Sequence, residues 1–146
     1  MKLKSLTILC CILLTGCSKS PETNPEILWD TYGVPHIYAD NYNDLFYAYG
    51  WSQMRNHGNL LLKLYAQARG QGAEYFGEKH LKSDQWVHTH NVMQRSRDWW
   101  EKQDPDIQKM MTAFTDGIND YAKENPDEID ELNQLILPAR PEDCFS

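Results

Sequence analysis

The sequence predicts an α+β chain, mainly helical with a short N-terminal strand pair, and three stretches predict it. Residues 27–40 place two short apolar runs, rich in β-branched and aromatic side chains, on either side of Asp30-Thr31-Tyr32-Gly33-Val34-Pro35, where Gly and Pro supply turn chemistry. Residues 45–55 are apolar nearly all round, with Gly50 as the one break, as in a helix buried on more than one side. Further on, Ile107, Met110, Met111, Phe114, Ile118 and Tyr121 fall on one helical stripe.

The first residues stand apart from this pattern. Lys2 and Lys4 precede an apolar run from Leu6 to Leu14 that is too short for a comfortable bilayer span, which is the layout of a secretory signal. Leu14-Thr15-Gly16-Cys17 then sets small residues directly before a Cys and resembles the bacterial lipobox, in which the Cys is acylated and becomes the mature N-terminus. The alternatives are an ordinary signal or an uncleaved anchor, and the polar Ser18-Lys19-Ser20 that follows argues against a membrane continuation. The expectation is a signal peptide over residues 1–16, lipidation at Cys17, and an exported protein held at the bacterial cell envelope. With Cys10 and Cys11 removed and Cys17 consumed, Cys144 alone remains, so the mature chain has no disulfide framework. Losing Lys2 and Lys4 leaves 12 basic against 21 acidic residues, a net charge of −9, which speaks against a nucleic-acid partner.

Residues 17–25 form a polar, Pro-punctuated tether, and folding is expected from residue 26 to residue 146, a length that allows one domain. After the strand pair, Asn41 to Asp44 offer N-caps for the first helix. A second helical segment is expected over residues 59–69, closed by Gly70 and Gly72. Tyr42, Phe46, Tyr47, Tyr49 and Trp51 could line a pocket, but at these spacings they read better as core. Gly50 and Gly117, each inside a helical pattern, call for the close approach of another backbone, and hence for a partner surface. Gly70 and Gly72 do not make a phosphate loop, since no strand precedes them and no Lys-Ser or Lys-Thr follows. On a strand His88 and His90 would share one face, and with His57 and His80 they offer zinc-ligand types without a fixed motif; they read better as polar positions beside an element that packs through Trp86, Val87 and Val92, and no metal site is assigned. Asp104-Pro105 places N-cap and N1 residues in the preferred order for a helix running to about residue 125. Residues 127–137 add a short acidic helix with Ile129, Leu132, Leu135 and Ile136 inward, and residues 142–146 close the sequence without a terminating signal.

Three strings carry a family resemblance: Tyr32-Gly33-Val34-Pro35-His36-Ile37-Tyr38-Ala39, the run from Arg69 to Gly77, and Phe114-Thr115-Asp116-Gly117-Ile118-Asn119-Asp120-Tyr121. In this order and spacing they resemble the opening of the α chain of penicillin acylases and acyl-homoserine-lactone acylases, which are N-terminal-nucleophile amidohydrolases. Trp29 stands where the family commonly has Arg, and Ser52-Gln53-Met54-Arg55 where it has an Ala-Gln-Asp-Arg-like run. The resemblance implies a fragment of a four-layer αββα sandwich and, in the complete enzyme, hydrolysis of linear amides such as N-acyl β-lactams or N-acyl-homoserine lactones. Such enzymes mature by self-cleavage that frees a β-chain Ser, whose α-amine, with a reference pKa of about 8, acts as its own base. The family's nucleophile follows a Gly and precedes an Asn. No Ser here follows a Gly.

No catalytic residue is therefore assigned. The family's calcium ligands and substrate pocket lie further along the α chain, so the resemblance places no cofactor here, only calcium in the complete enzyme. The expectation is a truncated α-chain segment, inactive alone, whose partners are the remainder of the α chain, the β chain and, through the anchor, a membrane. Its apolar surfaces around Leu45 and Ile107 would be shaped for that missing polypeptide. The competing expectation is a small lipoprotein that binds a partner without catalysis, and a third is a broken reading frame.

Overall fold

The computed structural model describes residues 25–146; the expected signal peptide, Cys17 and nearly all of the expected tether lie outside the described residues. The turn chemistry yields an antiparallel pair, β1 (Glu26–Trp29) and β2 (Pro35–Tyr38), with Ile27 opposite Ile37 and Leu28 opposite His36. Asp30 builds the turn. Its Oδ1 accepts the backbone N–H groups of Tyr32 (2.8 Å) and Val34 (2.9 Å), so the side chain does the work of a backbone turn.

Helix α1 (Tyr42–Ala68) begins where Asn41 Oδ1 accepts the Asp44 N–H at 3.0 Å. The two helical segments expected from the sequence are one element with a break at His57 (φ −139°, ψ 21°), in the gap between them. Its end is a Schellman motif. Gly70 takes a φ of 71°, its N–H donates to Gln67 O (3.0 Å), and the Gln71 N–H reaches back to Ala66 O (2.8 Å).

Short α2 (Gly72–Phe76) follows, and its first amides are capped from a distance: the buried Asp84 carboxylate accepts the N–H groups of Gly72 (3.0 Å) and Ala73 (2.6 Å). A 3-10 turn (Glu78–His80) leads to α3 (Leu81–Thr89). The element whose type the sequence leaves open is a helix. The His90 N–H donates to Trp86 O (3.0 Å) and the Thr89 hydroxyl to Gln85 O (2.6 Å), both helical spacings, so His88 and His90 do not share a strand face. Val87 is buried, but Trp86, expected to pack inward, is 58% exposed and stacks on His90. Asn91, at a φ of 49°, turns the chain into α4 (Val92–Glu101), which absorbs Trp99 and Trp100 and was not foreseen.

Helix α5 (Pro105–Glu124) starts at the expected cap, with the Asp106 N–H on Asp104 Oδ1 (2.8 Å). It crosses α1 at the two mid-helix glycines. A Cβ on Gly50 would stand 1.9 Å from Phe114 O, and one on Gly117 would stand 2.1 Å from Tyr47 O. Each glycine therefore admits the other helix's backbone, and the partner surface they call for is supplied within the chain. The Leu45 region is likewise at least half-covered by the chain's own residues, with Ala48 buried, while Ile107 stays exposed.

Met54, Leu62, Ile118 and Ile136 form the centre of the core, each at most 2% exposed. Ile136 belongs to the last segment, a 3-10 turn (Pro126–Glu128), short α6 (Glu131–Gln134) and a final 3-10 turn (Pro141–Phe145). Ile129 and Ile136 point inward as expected, but Leu132 and Leu135 are 52% and 64% exposed. The expected continuous helix is only four residues long here, so its periodicity does not extend over that range.

Candidate functional site

Among the described residues the nucleophile types are dispersed, and the Ser52 hydroxyl is buried without a hydrogen-bond partner. Ser52 is fully buried; the Ser96 hydroxyl donates to Val92 O (3.0 Å) and the Ser146 hydroxyl to Asp143 O (2.7 Å). Burial pushes the Cys144 thiol up to about 11, partly opposed by its hydrogen bond with Tyr65, so it is neutral at physiological pH and a poor nucleophile. The histidines are elsewhere. His36 faces Asp30 across 3.6 Å, His88 Nε2 lies 2.9 Å from Gly70 O, and His90 Nδ1 lies 2.8 Å from Trp86 O. Among the described residues no three His, Cys, Asp or Glu side chains converge in a way that could hold a metal ion. The amides of Gly72 and Ala73, where a phosphate would need donors, are occupied by Asp84.

The aromatic residues of α1 do not gather into one pocket. Trp51 packs edge-on against Tyr121 in the core (centroids 4.9 Å apart), Tyr49 leans on Phe114, and Tyr42 is exposed. Tyr47 donates its hydroxyl to Asp120 (3.0 Å), and Trp51 Nε1 donates to Glu124 (3.3 Å). Burial, with the Asp120 carboxylate beside it, pushes the Tyr47 phenol up to about 12. Burial also raises Asp116, one turn before Asp120 on the same helix, and the Asp120 charge adds to the shift.

What the structure builds instead is a clasp and a groove. Arg69, at the end of α1, grips Asp143 through Nε (2.9 Å) and Nη2 (2.5 Å), while Nη1 donates to Ile136 O (2.6 Å) and Nη2 to Pro138 O (2.9 Å). Both side chains are withdrawn from water. Asn119 of α5 holds the same segment, donating to Ala139 O (3.0 Å) and accepting from the Ala139 N–H (2.8 Å). The C-terminal residues, which show no stop signal in the sequence, are therefore anchored by polar groups from both long helices. Beside them an open groove of about 650 Å³ runs between α1 and α6, lined by Asn59, Leu60, Lys63, Phe76 and Leu132. Asn59 fixes its wall by accepting from the Asp130 N–H (2.8 Å) and from Asn133 Nδ2 (2.9 Å). Mixed leucine and polar lining on an open surface suits packing rather than bond-making chemistry. Arg69 and Asp143 lie 74 positions apart; Arg69 opens one of the strings singled out in the sequence and Asn119 lies in another, but no local motif ties either to the C-terminal segment.

The family model described as penicillin amidase matches residues 24–144. Acyl-homoserine lactone acylase PvdQ from Pseudomonas fluorescens (strain Pf-5) is 27% identical over 106 residues, which cover 67% of this chain and 14% of that protein. Penicillin G acylase from Escherichia coli is 24% identical over 127 residues, covering 87% of this chain and 14% of the relative. Among solved structures, a thermostable penicillin G acylase from Alcaligenes faecalis matches with a TM-score of 0.70 at 21% identity, over 82% of this chain and 67% of that one. The chain thus has the fold of the corresponding part of a penicillin acylase and spans about one-seventh of the length of the two relatives. On the extent of the family match, the chain belongs to the penicillin amidase family.

Proposed function

We propose that this chain is the N-terminal α-chain segment of a lipid-anchored, penicillin-acylase-like amidohydrolase, contributing scaffold to amide hydrolysis and inert by itself. The observation that carries the reading is the family match over residues 24–144 set against the small share of each relative that the chain spans. In the complete enzyme the reaction would be hydrolysis of a linear amide, of an N-acyl β-lactam or an N-acyl-homoserine lactone. The nucleophile, its α-amine base and any calcium would come from polypeptide beyond this segment. The test is to incubate the purified chain with a chromogenic phenylacetamide and with a long-chain N-acyl-homoserine lactone. Neither should release product, and turnover by the chain unaided would overturn the proposal.

One observation favours the second reading, a lipoprotein module that binds without catalysis. The chain has its own core and closes its C-terminal segment with its own Arg69, features of a body able to stand alone. A sharp, two-state melt as a monomer supports that reading, whereas dye binding and a broad transition support a segment waiting for its remainder.

A further inference from the structure

The exposed apolar side chains of the described residues are unevenly spread. Leu60, Leu64, Leu132 and Leu135 lie on α1 and the α6 region, where Leu60 and Leu132 line the groove. Tyr49, Leu81, Trp86, Trp99 and Ile107 are exposed at scattered points along the helices, whereas five more crowd into the fifteen residues from Leu28 to Tyr42 and are largely tyrosines: Leu28, Tyr32, Val34, Tyr38 and Tyr42. The hairpin explains part of the grouping. Its inner face, Ile27, Trp29 and Ile37, is half-buried, and Trp29 also carries the Arg55 guanidinium 4.2 Å over its ring. Its outer face pairs Leu28 with His36 and Glu26 with Tyr38, which leaves Leu28 48% and Tyr38 58% exposed, and the turn presents Tyr32 at 91%.

Tyrosine, with an apolar ring and a polar tip, is the side chain that settles at the boundary between lipid and water. The hairpin is also the first folded element after Cys17. Residues 18–25 span about 30 Å even at full extension, and a four-residue strand adds only about 13 Å. We propose that the outer face and turn of the β1–β2 hairpin form a membrane-contact surface, with Leu28, Tyr32, Val34 and Tyr38 resting in the headgroup layer of the membrane that holds an acylated Cys17. The inference rests on the lipid-anchor part of the proposed function. Glu26, Asp30 and Asp40 lie along the same stretch and His36 is its one ionisable basic group, so the surface fits a zwitterionic rather than an anionic lipid face.

The experiment uses the full chain, expressed in a bacterium fed labelled palmitate, purified and reconstituted on phosphatidylcholine vesicles. Hydroxyl-radical footprinting is then read by mass spectrometry against the Cys17→Ser protein free in buffer. Modification of Tyr32 and Tyr38 should fall about threefold on the vesicles, while the exposed Trp86 and Trp99 on α3 and α4 keep their free-protein values. A Tyr32→Asp/Tyr38→Asp variant, altered only at exposed positions, should take up palmitate and lose the protection of Leu28 and Val34. Palmitate uptake with an unchanged footprint overturns the contact and leaves the anchor standing. Absence of palmitate overturns the anchor, and the contact with it.

Discussion

Where α1 crosses α5, two helices touch backbone to backbone through Gly50 and Gly117; where residues 126–146 meet the same helices, they are held by Arg69, Asn119 and Asn59 through directed hydrogen bonds. One joint works by the absence of side chains, the other by long polar ones. The difference shows in how each should fail. A crossing built on close contact is sensitive to added volume, and a buried polar clasp is sensitive to losing one partner.

The largest effect should come from the clasp. Arg69→Met keeps the volume but leaves the Asp143 carboxylate buried without its cation, an expected cost of about 3–5 kcal/mol in equilibrium urea unfolding. Replacing both partners, as Arg69→Met with Asp143→Leu, should recover much of that loss; no recovery would place the energy in the carbonyl contacts of Arg69 instead. Gly117→Ala should follow at about 2 kcal/mol, since the added methyl meets the Tyr47 carbonyl and the clash outweighs the helix propensity gained. Unchanged stability in that variant would mean that the helices separate freely. Asn119→Ala should cost about 1–2 kcal/mol by stripping the Ala139 backbone of both partners.

Alkaline pH separates the two joints more gently. Cys144, in the final turn, and Tyr47, at the crossing, keep their protons in the folded chain up to about 11 and about 12, above their ordinary values near 9 and 10. The unfolded chain gives up those protons first. The stability tied to Cys144 is thus full below pH 9 and lost as pH rises through 11, and that tied to Tyr47 is full below pH 10 and lost through 12. Melting temperature followed against pH should decline less steeply from pH 9 to 11 in Cys144→Ala, and from pH 10 to 12 in Tyr47→Phe. Curves that overlay the parent would remove these groups from the linkage.

The need for a close neighbour at Gly50 and Gly117 was legible in the sequence, though not that each helix is the other's neighbour, and the clasp was not legible at all, for physical reasons. Gly50 and Gly117 sit inside apolar helical patterns where propensity disfavours them, so a close neighbour follows from local chemistry. Asp104-Pro105 and the Asp30 turn are equally local. Arg69 and Asp143 meet only after the chain has folded back over 74 positions, and nothing beside either residue marks the other. Helices α3 and α4 were not legible for a different reason: His88 and His90 are spaced as on one face of a strand, which left the type of α3 open, and in α4 the apolar surface is confined to Val92, Met93, Trp99 and Trp100. Leu132 and Leu135 show the converse error, a periodicity extrapolated through an element too short to carry it.

The paired glycines also act as a key. Sliding α5 along α1 by one position would drive a bulky neighbour, Trp51 or Ile118, into the space that admits only a bare backbone. Rotation about the crossing is hindered in the same way. The hairpin that feeds α1 and the terminal turns that follow α5 are therefore geared to one another, and whatever seats either end of the chain sets the position of the other.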